Sequence, residues 1–210
     1  MRQIVALVAI AIAVIFSIAV YPRLPDLVAI HWGFSGQADG WAPKAWGAFL
    51  MPAIALGVFL ILSFVTRLAR RAAGEAPQVR ATENVAAVVV SFLALVHIAM
   101  LGSALGWRIE VVRVIVLGIG AMLIFIGFQM TGIPRNPFFG IRTPWTLRSD
   151  AVWERTHRVG SRIMVICGVV LGLAALLPPR WSVGAILLTV FVMLVSTVGY
   201  SFWIRDVHRD

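Results

Sequence analysis

Six stretches of this chain contain no Asp, Glu, Lys or Arg: residues 3–22, 45–66, 84–107, 114–134, 163–179 and 181–204. A helix crossing about 30 Å of hydrocarbon at about 1.5 Å per residue needs roughly 20 residues, with about 17 as the lower limit. All six are long enough. One ionised side chain at the centre of a spanning helix costs about 2.5–3.5 kcal/mol on insertion scales, so six uninterrupted windows constrain the fold strongly. They predict an all-α membrane protein with six transmembrane helices at about residues 4–20, 47–66, 85–105, 112–130, 161–177 and 182–203. Composition agrees, since 60% of the 210 residues are apolar and 13% charged, against about 25% charged in soluble domains. Arg2 precedes the first run as in a secretory signal, but residues 4–20 are long for a signal core and "SIAVYP" is a poor small-x-small cleavage site. A retained first helix is expected.

Orientation follows from the loops. With the N-terminus in the cytoplasm, 13 of the 18 basic residues fall inside, and only Arg23, Lys44, Arg108, Arg113 and Arg180 fall outside. The positive-inside rule then puts both termini in the cytoplasm, an N-in/C-in topology. The net charge of +9 is accounted for by this asymmetry, and no direct nucleic-acid contact is expected. The chain divides into a first helical hairpin, 1–66, whose external loop is 21–46; a basic cytoplasmic loop, 67–84, in which Gly74 and Pro77 break helix; and a four-helix membrane domain, 85–210, carrying a cytoplasmic segment, 136–160. "GSALG" (102–106) and "GVVLG" (168–172) space small residues for close helix contact. The single cysteine, Cys167, lies in an apolar stretch and suits packing.

The external loop reads "YPRLPDLVAIHWGFSGQADGWAPKAW". Val28, Ile30 and Trp32 alternate with Ala29 and His31, the period of a half-buried strand. Gly33, Gly36 and the pair Asp39-Gly40 suit positive-φ turns, and Trp32, Trp41 and Trp46 suit the bilayer interface. A compact external cap is expected, with His31, Trp32, Asp39 and Trp41 as candidate ligand- or partner-binding residues. His31 with Asp26 and Asp39 matches no standard zinc spacing, and no metal or cofactor is expected.

The segment "NPFFGIRTPWTLRSDAVWERTHRVG" (136–160) gathers four arginines, two acidic residues, a histidine and two tryptophans. Pro137, Gly140 and Pro144 prevent a single helix in its first half. In the second half Ser149 can cap a helix, and Asp150 and Glu154 lie where the helix dipole favours negative charge. Glu154 can pair with Arg158 one turn on. Two readings stay open: a cytoplasmic amphipathic helix leading into the fifth span, or a polar binding site built from Arg142, Thr143, Trp145, Ser149, Asp150, Trp153, Glu154, His157 and Arg158. Within the membrane, His97 must find a hydrogen-bond partner, for which Ser63, Ser91, Gln129 and Ser196 are candidates. No charged residue lies deep in a span, which argues against an ion-coupled pump. No Ser/His/Asp string, HExxH or P-loop appears, and a catalytic role is not expected.

The string G-I-R-T-P-W-T-L…S-D…V-W…T-H-R-x-G, residues 140–160, closely resembles the core motif of the SdpI-like integral membrane immunity protein family. "LPDLVAIHWGFSGQADGWAPK" resembles the HWG…DGW domain of unknown function that accompanies it. The resemblance implies a multi-pass protein of the bacterial inner membrane. It further implies immunity to a secreted antimicrobial peptide or toxin, or resistance to envelope stress, and signalling to a cytoplasmic transcriptional repressor. Partners beyond these are membrane lipids. The oligomeric state is open. Two alternatives remain from the residues themselves: a small transporter or lipid-handling protein gripping an anionic headgroup, and a membrane hydrolase.

Overall fold

The computed structural model describes residues 2–33 and 35–206. Its helices are α1 (Arg2–Val20), α2 (Lys44–Ala73), α3 (Pro77–Ala104), α4 (Val111–Met130), α5 (Asp150–Ala174) and α6 (Ser182–Trp203). Each is long and apolar enough to cross a membrane, as the charge-free stretches predict. Arg209, one of the basic residues used to orient the chain, lies outside the described residues.

Two expectations are corrected. The fold is not purely helical, because β1 (Leu27–Trp32) and β2 (Ala38–Pro43) form an antiparallel hairpin between α1 and α2. Residues 67–84 are not a loop: α2 continues through Arg67, Arg70 and Arg71, α3 opens at Pro77, and only residues 74–76 turn. Proline at the first helical position removes a donor that has no intrahelical partner anyway, and the alanine-rich flanks favour helix on both sides. The segment after Ser149 leads directly into the fifth span, since α5 runs unbroken from Asp150 to Ala174. Its polar first turns and the fifth span are one rod.

The helices pack in two groups. α1, α2 and α3 bury Ala6, Ile10, Ala55, Phe59 and Val90 in one layer. A second layer holds Val20, Leu24, Val28, Ala48, Met100 and Leu101, so the hairpin contributes Val28 to the helical core. α4 and α5 close around Val112, Val116, Leu171 and Ala175, with Trp32 packed against the edge of both this cluster and the second layer. The tightest crossing is glycine against glycine. A Cβ on Gly120 would stand 2.8 Å from the Gly168 carbonyl oxygen, whereas a Cβ on Gly106 or Gly172 would meet open space. Of the two small-residue pairs in the sequence, it is Gly168 and Gly172 whose backbones meet another helix, Gly172 N standing 3.3 Å from the same Gly120 Cβ position.

His97 is fully buried and finds a partner other than the four anticipated. Its Nε2 lies 2.7 Å from Ser17 Oγ on α1, and that hydroxyl lies 2.7 Å from the Ala48 carbonyl of α2. The hydroxyl has one proton, which the carbonyl accepts, so His97 donates to Ser17 and the relay ties α1, α2 and α3. Its Nδ1 is buried with no partner among the described residues. At one end of the bundle Glu83 of α3 accepts from Arg70 Nη2 of α2 at 2.7 Å and from Arg2 Nη1 of α1 at 3.5 Å. The hairpin caps the opposite end.

Candidate functional site

The hairpin is held by its backbone. Leu27 faces Pro43, Val28 faces Ala42 and Ala29 faces Trp41, after which the register shifts on either side of His31, which faces Gly40. Those irregularities break the expected alternation: Val28 is buried, while Ile30 is exposed. The tight turn follows expectation at Gly36 and departs from it at Asp39 and Gly40. Gly36 (φ 77) donates to Gly33 O there, and Gly33 donates to Gln37 O. Asp39 and Gly40 are strand residues instead. The hairpin is fixed to the bundle from below, because a Cβ on Gly47 would overlap Val28, and Lys44 N–H donates to Asp26 O at 2.8 Å.

Its outward side chains are left over. His31 Nδ1 stands 2.5 Å from Asp39 Oδ1, and both side chains are more than half exposed, at 70% and 53%. The pair orients the imidazole and leaves Nε2 without a protein partner among the described residues. Trp41 and Trp46 are 56% and 62% exposed. Trp32 is the exception among the four anticipated residues, since it packs inward. No group of three or more His, Cys, Asp or Glu able to hold a metal occurs among the described residues.

The segment 131–149 is built the other way round, by side chains that bond backbone. Asn136 Oδ1 accepts from Phe138 and Phe139 N–H, and its Nδ2 donates to Pro134 O and Phe139 O. Thr146 Oγ1, fully buried, accepts from Thr143 N–H at 2.8 Å and reaches Ile141 O at 2.8 Å. Trp145 Nε1 donates to Ser201 Oγ of α6, and Trp153 Nε1 donates to Ile133 O, both at 2.8 Å. Arg142 donates to Pro137 O, and Ser149 caps α5 by accepting from Val152 N–H.

His157 closes this frame. Its Nε2 accepts from Ile141 N–H at 2.9 Å, so Nδ1 carries the proton and donates to Trp153 O at 2.8 Å. The ring stacks on Trp153 with centroids 3.9 Å apart. Gly140 must pass beneath it at φ 123, where a Cβ would overlap His157 Nε2. Both imidazole nitrogens are therefore occupied by backbone groups, which removes His157 as an acid or base in this state.

Between this frame and the first turns of α5 lies a cavity of about 520 Å³. Asp150, Glu154 and Arg158 line it, with Trp153 and His157 at its buried floor. Arg142, Thr143, Trp145 and Ser149 do not. Sequence reasoning missed Arg135, which also lines the cavity and donates from Nε to Asp150 Oδ1 and from Nη1 to Leu147 O, both at 2.7 Å. It missed Asn136 and Thr146 as well. Asn before Pro is a turn signal that could have found the first; a threonine inside "TPWT" carries no such signal.

Residues 132–203 match the SdpI/YfhL protein family, and residues 8–56 match the domain of unknown function DUF1648. The chain is 24% identical over 201 residues to Immunity protein SdpI of Bacillus subtilis (strain 168), covering 96% of this chain and 94% of that one. No solved structure matches it. The family resemblance read from the two motifs is borne out.

Proposed function

We propose that this SdpI-family membrane protein protects its cell from a membrane-active peptide by binding that peptide on the outer hairpin. The observation that carries the reading is the contrast in the hairpin between a fixed backbone and unused side chains. Rigid aromatic side chains bind at low entropic cost, because little freedom is lost when a partner arrives. His31 and Trp41 have that character, and Val28 and Gly47 hold their frame to the bundle. Similarity to an immunity protein along nearly the whole chain supports the same reading. By the positive-inside rule the hairpin would lie outside the membrane and segment 131–160 in the cytoplasm. That segment would be the surface through which occupancy is signalled to a cytoplasmic repressor.

The test is protection of toxin-sensitive cells on expression, against a panel of membrane-active peptides. His31→Ala and Trp41→Ala should abolish protection while leaving the amount of protein in the membrane unchanged. Killing that is unaffected by the wild-type protein across the panel would overturn the proposal. The lipid-handling alternative needed Arg142, His157 and Arg158 to grip an anionic headgroup. Arg142 is outside the cavity and both His157 nitrogens are engaged, so that form of it loses two of its three residues.

A further inference from the structure

The cavity beside α5 has a charge pattern that the immunity reading does not use. Four ionised side chains line it: Arg135 and Arg158, Asp150 and Glu154. They form two pairs, Arg135 with Asp150 and Arg158 with Glu154. The lining is thus neutral in sum, with both signs present, in a chain whose net charge is +9. All four side chains are more than a third exposed, from 37% for Arg135 to 79% for Asp150. Exposed pairs of this kind add little to folding, and they can exchange partners when a ligand arrives.

Each member keeps bonding capacity. Arg135 uses Nε and Nη1, and Nη2 remains. Asp150 uses Oδ1, Arg158 uses Nη2 and Glu154 uses Oε1, so Asp150 Oδ2, Arg158 Nη1 and Glu154 Oε2 remain. Guanidinium groups suit phosphate oxygens, and carboxylates suit an ammonium. On the floor, beside His157, whose ring nitrogens are already engaged, Trp153 and Ile133 offer apolar surface and are 2% and 6% exposed. Depth along the bundle narrows the ligand further. The cavity starts at Thr131, where the charge-free stretch 114–134 nears its end, and lies beside the polar first turns of α5. With the charge-free stretches spanning the hydrocarbon, that level falls at the lipid headgroups. A volume of about 520 Å³ fits a small ligand, typical sites being about 300–1,000 Å³; a protein partner would need a far larger surface.

We infer that this cavity binds an ammonium–phosphate zwitterion, the headgroup chemistry of an aminophospholipid, with Arg135 and Arg158 on the phosphate and Asp150 and Glu154 on the ammonium. An anionic headgroup would meet the two carboxylates unrelieved.

The experiment uses the full-length protein purified from vesicles of equal phosphatidylethanolamine and phosphatidylglycerol, with retained lipid read by native mass spectrometry. The wild type should retain phosphatidylethanolamine about tenfold over phosphatidylglycerol. The double variant Asp150→Asn, Glu154→Gln makes the lining doubly positive and should reverse that preference. Arg155→Gln, outside the cavity, should leave it unchanged, and matching melting curves show that all three proteins are folded. Displacement of the lipid by free O-phosphoethanolamine would show that the soluble headgroup compound also binds; retention of the lipid alone would identify the membrane as the source. Equal retention of the two lipids by the wild type, a wild-type preference for phosphatidylglycerol, or an unchanged preference in the double variant would each overturn the inference.

Discussion

The hairpin 27–43 and the segment 131–149 solve the same problem in opposite ways. Each is a polar insertion between greasy helices, and each must satisfy backbone groups that helices would otherwise satisfy internally. The hairpin does so with a backbone ladder, which leaves His31, Asp39 and Trp41 facing outward. The segment 131–149 has no ladder. Its carbonyls and amides are met by Asn136, Thr146, Trp153, His157, Arg135 and Arg142. A motif rich in polar side chains therefore need not be a binding surface. In one region such side chains are free to meet a partner, and in the other most of them are the architecture.

Substitutions can break or sharpen that contrast. The largest effect is expected at Gly140. Gly140→Val forces a β-branched residue to φ 123 and into His157, at a cost of about 4 kcal/mol when backbone strain and the lost His157 bond are combined. Unfolding in detergent should move to markedly milder conditions, and trypsin should cut at Arg142 or Arg148; a wild-type midpoint would show that the frame does not depend on this crossing. His157→Ala comes next. It strands the Ile141 amide and removes the stack on Trp153, worth about 2–3 kcal/mol, measured by the same denaturation. Thr146→Val keeps the shape but removes the hydroxyl that serves Thr143 and Ile141, and a loss of about 1–2 kcal/mol is expected. The smallest stability effect belongs to the hairpin. His31→Ala should shift stability by no more than about 0.5 kcal/mol while abolishing protection. If it instead unfolded the protein as His157→Ala does, the two regions would not differ in kind.

The spans were readable because each helix carries its own evidence, about 20 residues without charge. The hairpin was readable in part: β1 was expected from alternation around Val28 and the turn from Gly36, but the shifts at His31 and the strand placement of Asp39 and Gly40 were not. Alternation reports which face is buried only while the ladder is regular. Among the motif residues, the Ser149 cap was legible because it acts on a neighbour three residues away. The Trp145 bond to Ser201 and the Ser17 bond to His97 were not, since 56 and 80 residues separate the partners.

Sequence alone determined that this chain lives in a bilayer, how many times it is able to cross, and which two polar segments it sets aside. Those properties are sums over local windows: hydrocarbon length, absence of charge and the asymmetry of arginines between loops. Tertiary structure decided which polar side chains remain available. Whether a histidine keeps one ring nitrogen unengaged like His31 or has both bonded like His157 depends on groups 8 and 16 residues distant, at Asp39 and Ile141. The same holds for the cavity, where Arg135 closes on Asp150 from the far side of a loop. Hydrogen bonds are short and directional, so only the folded chain fixes which donors meet which acceptors.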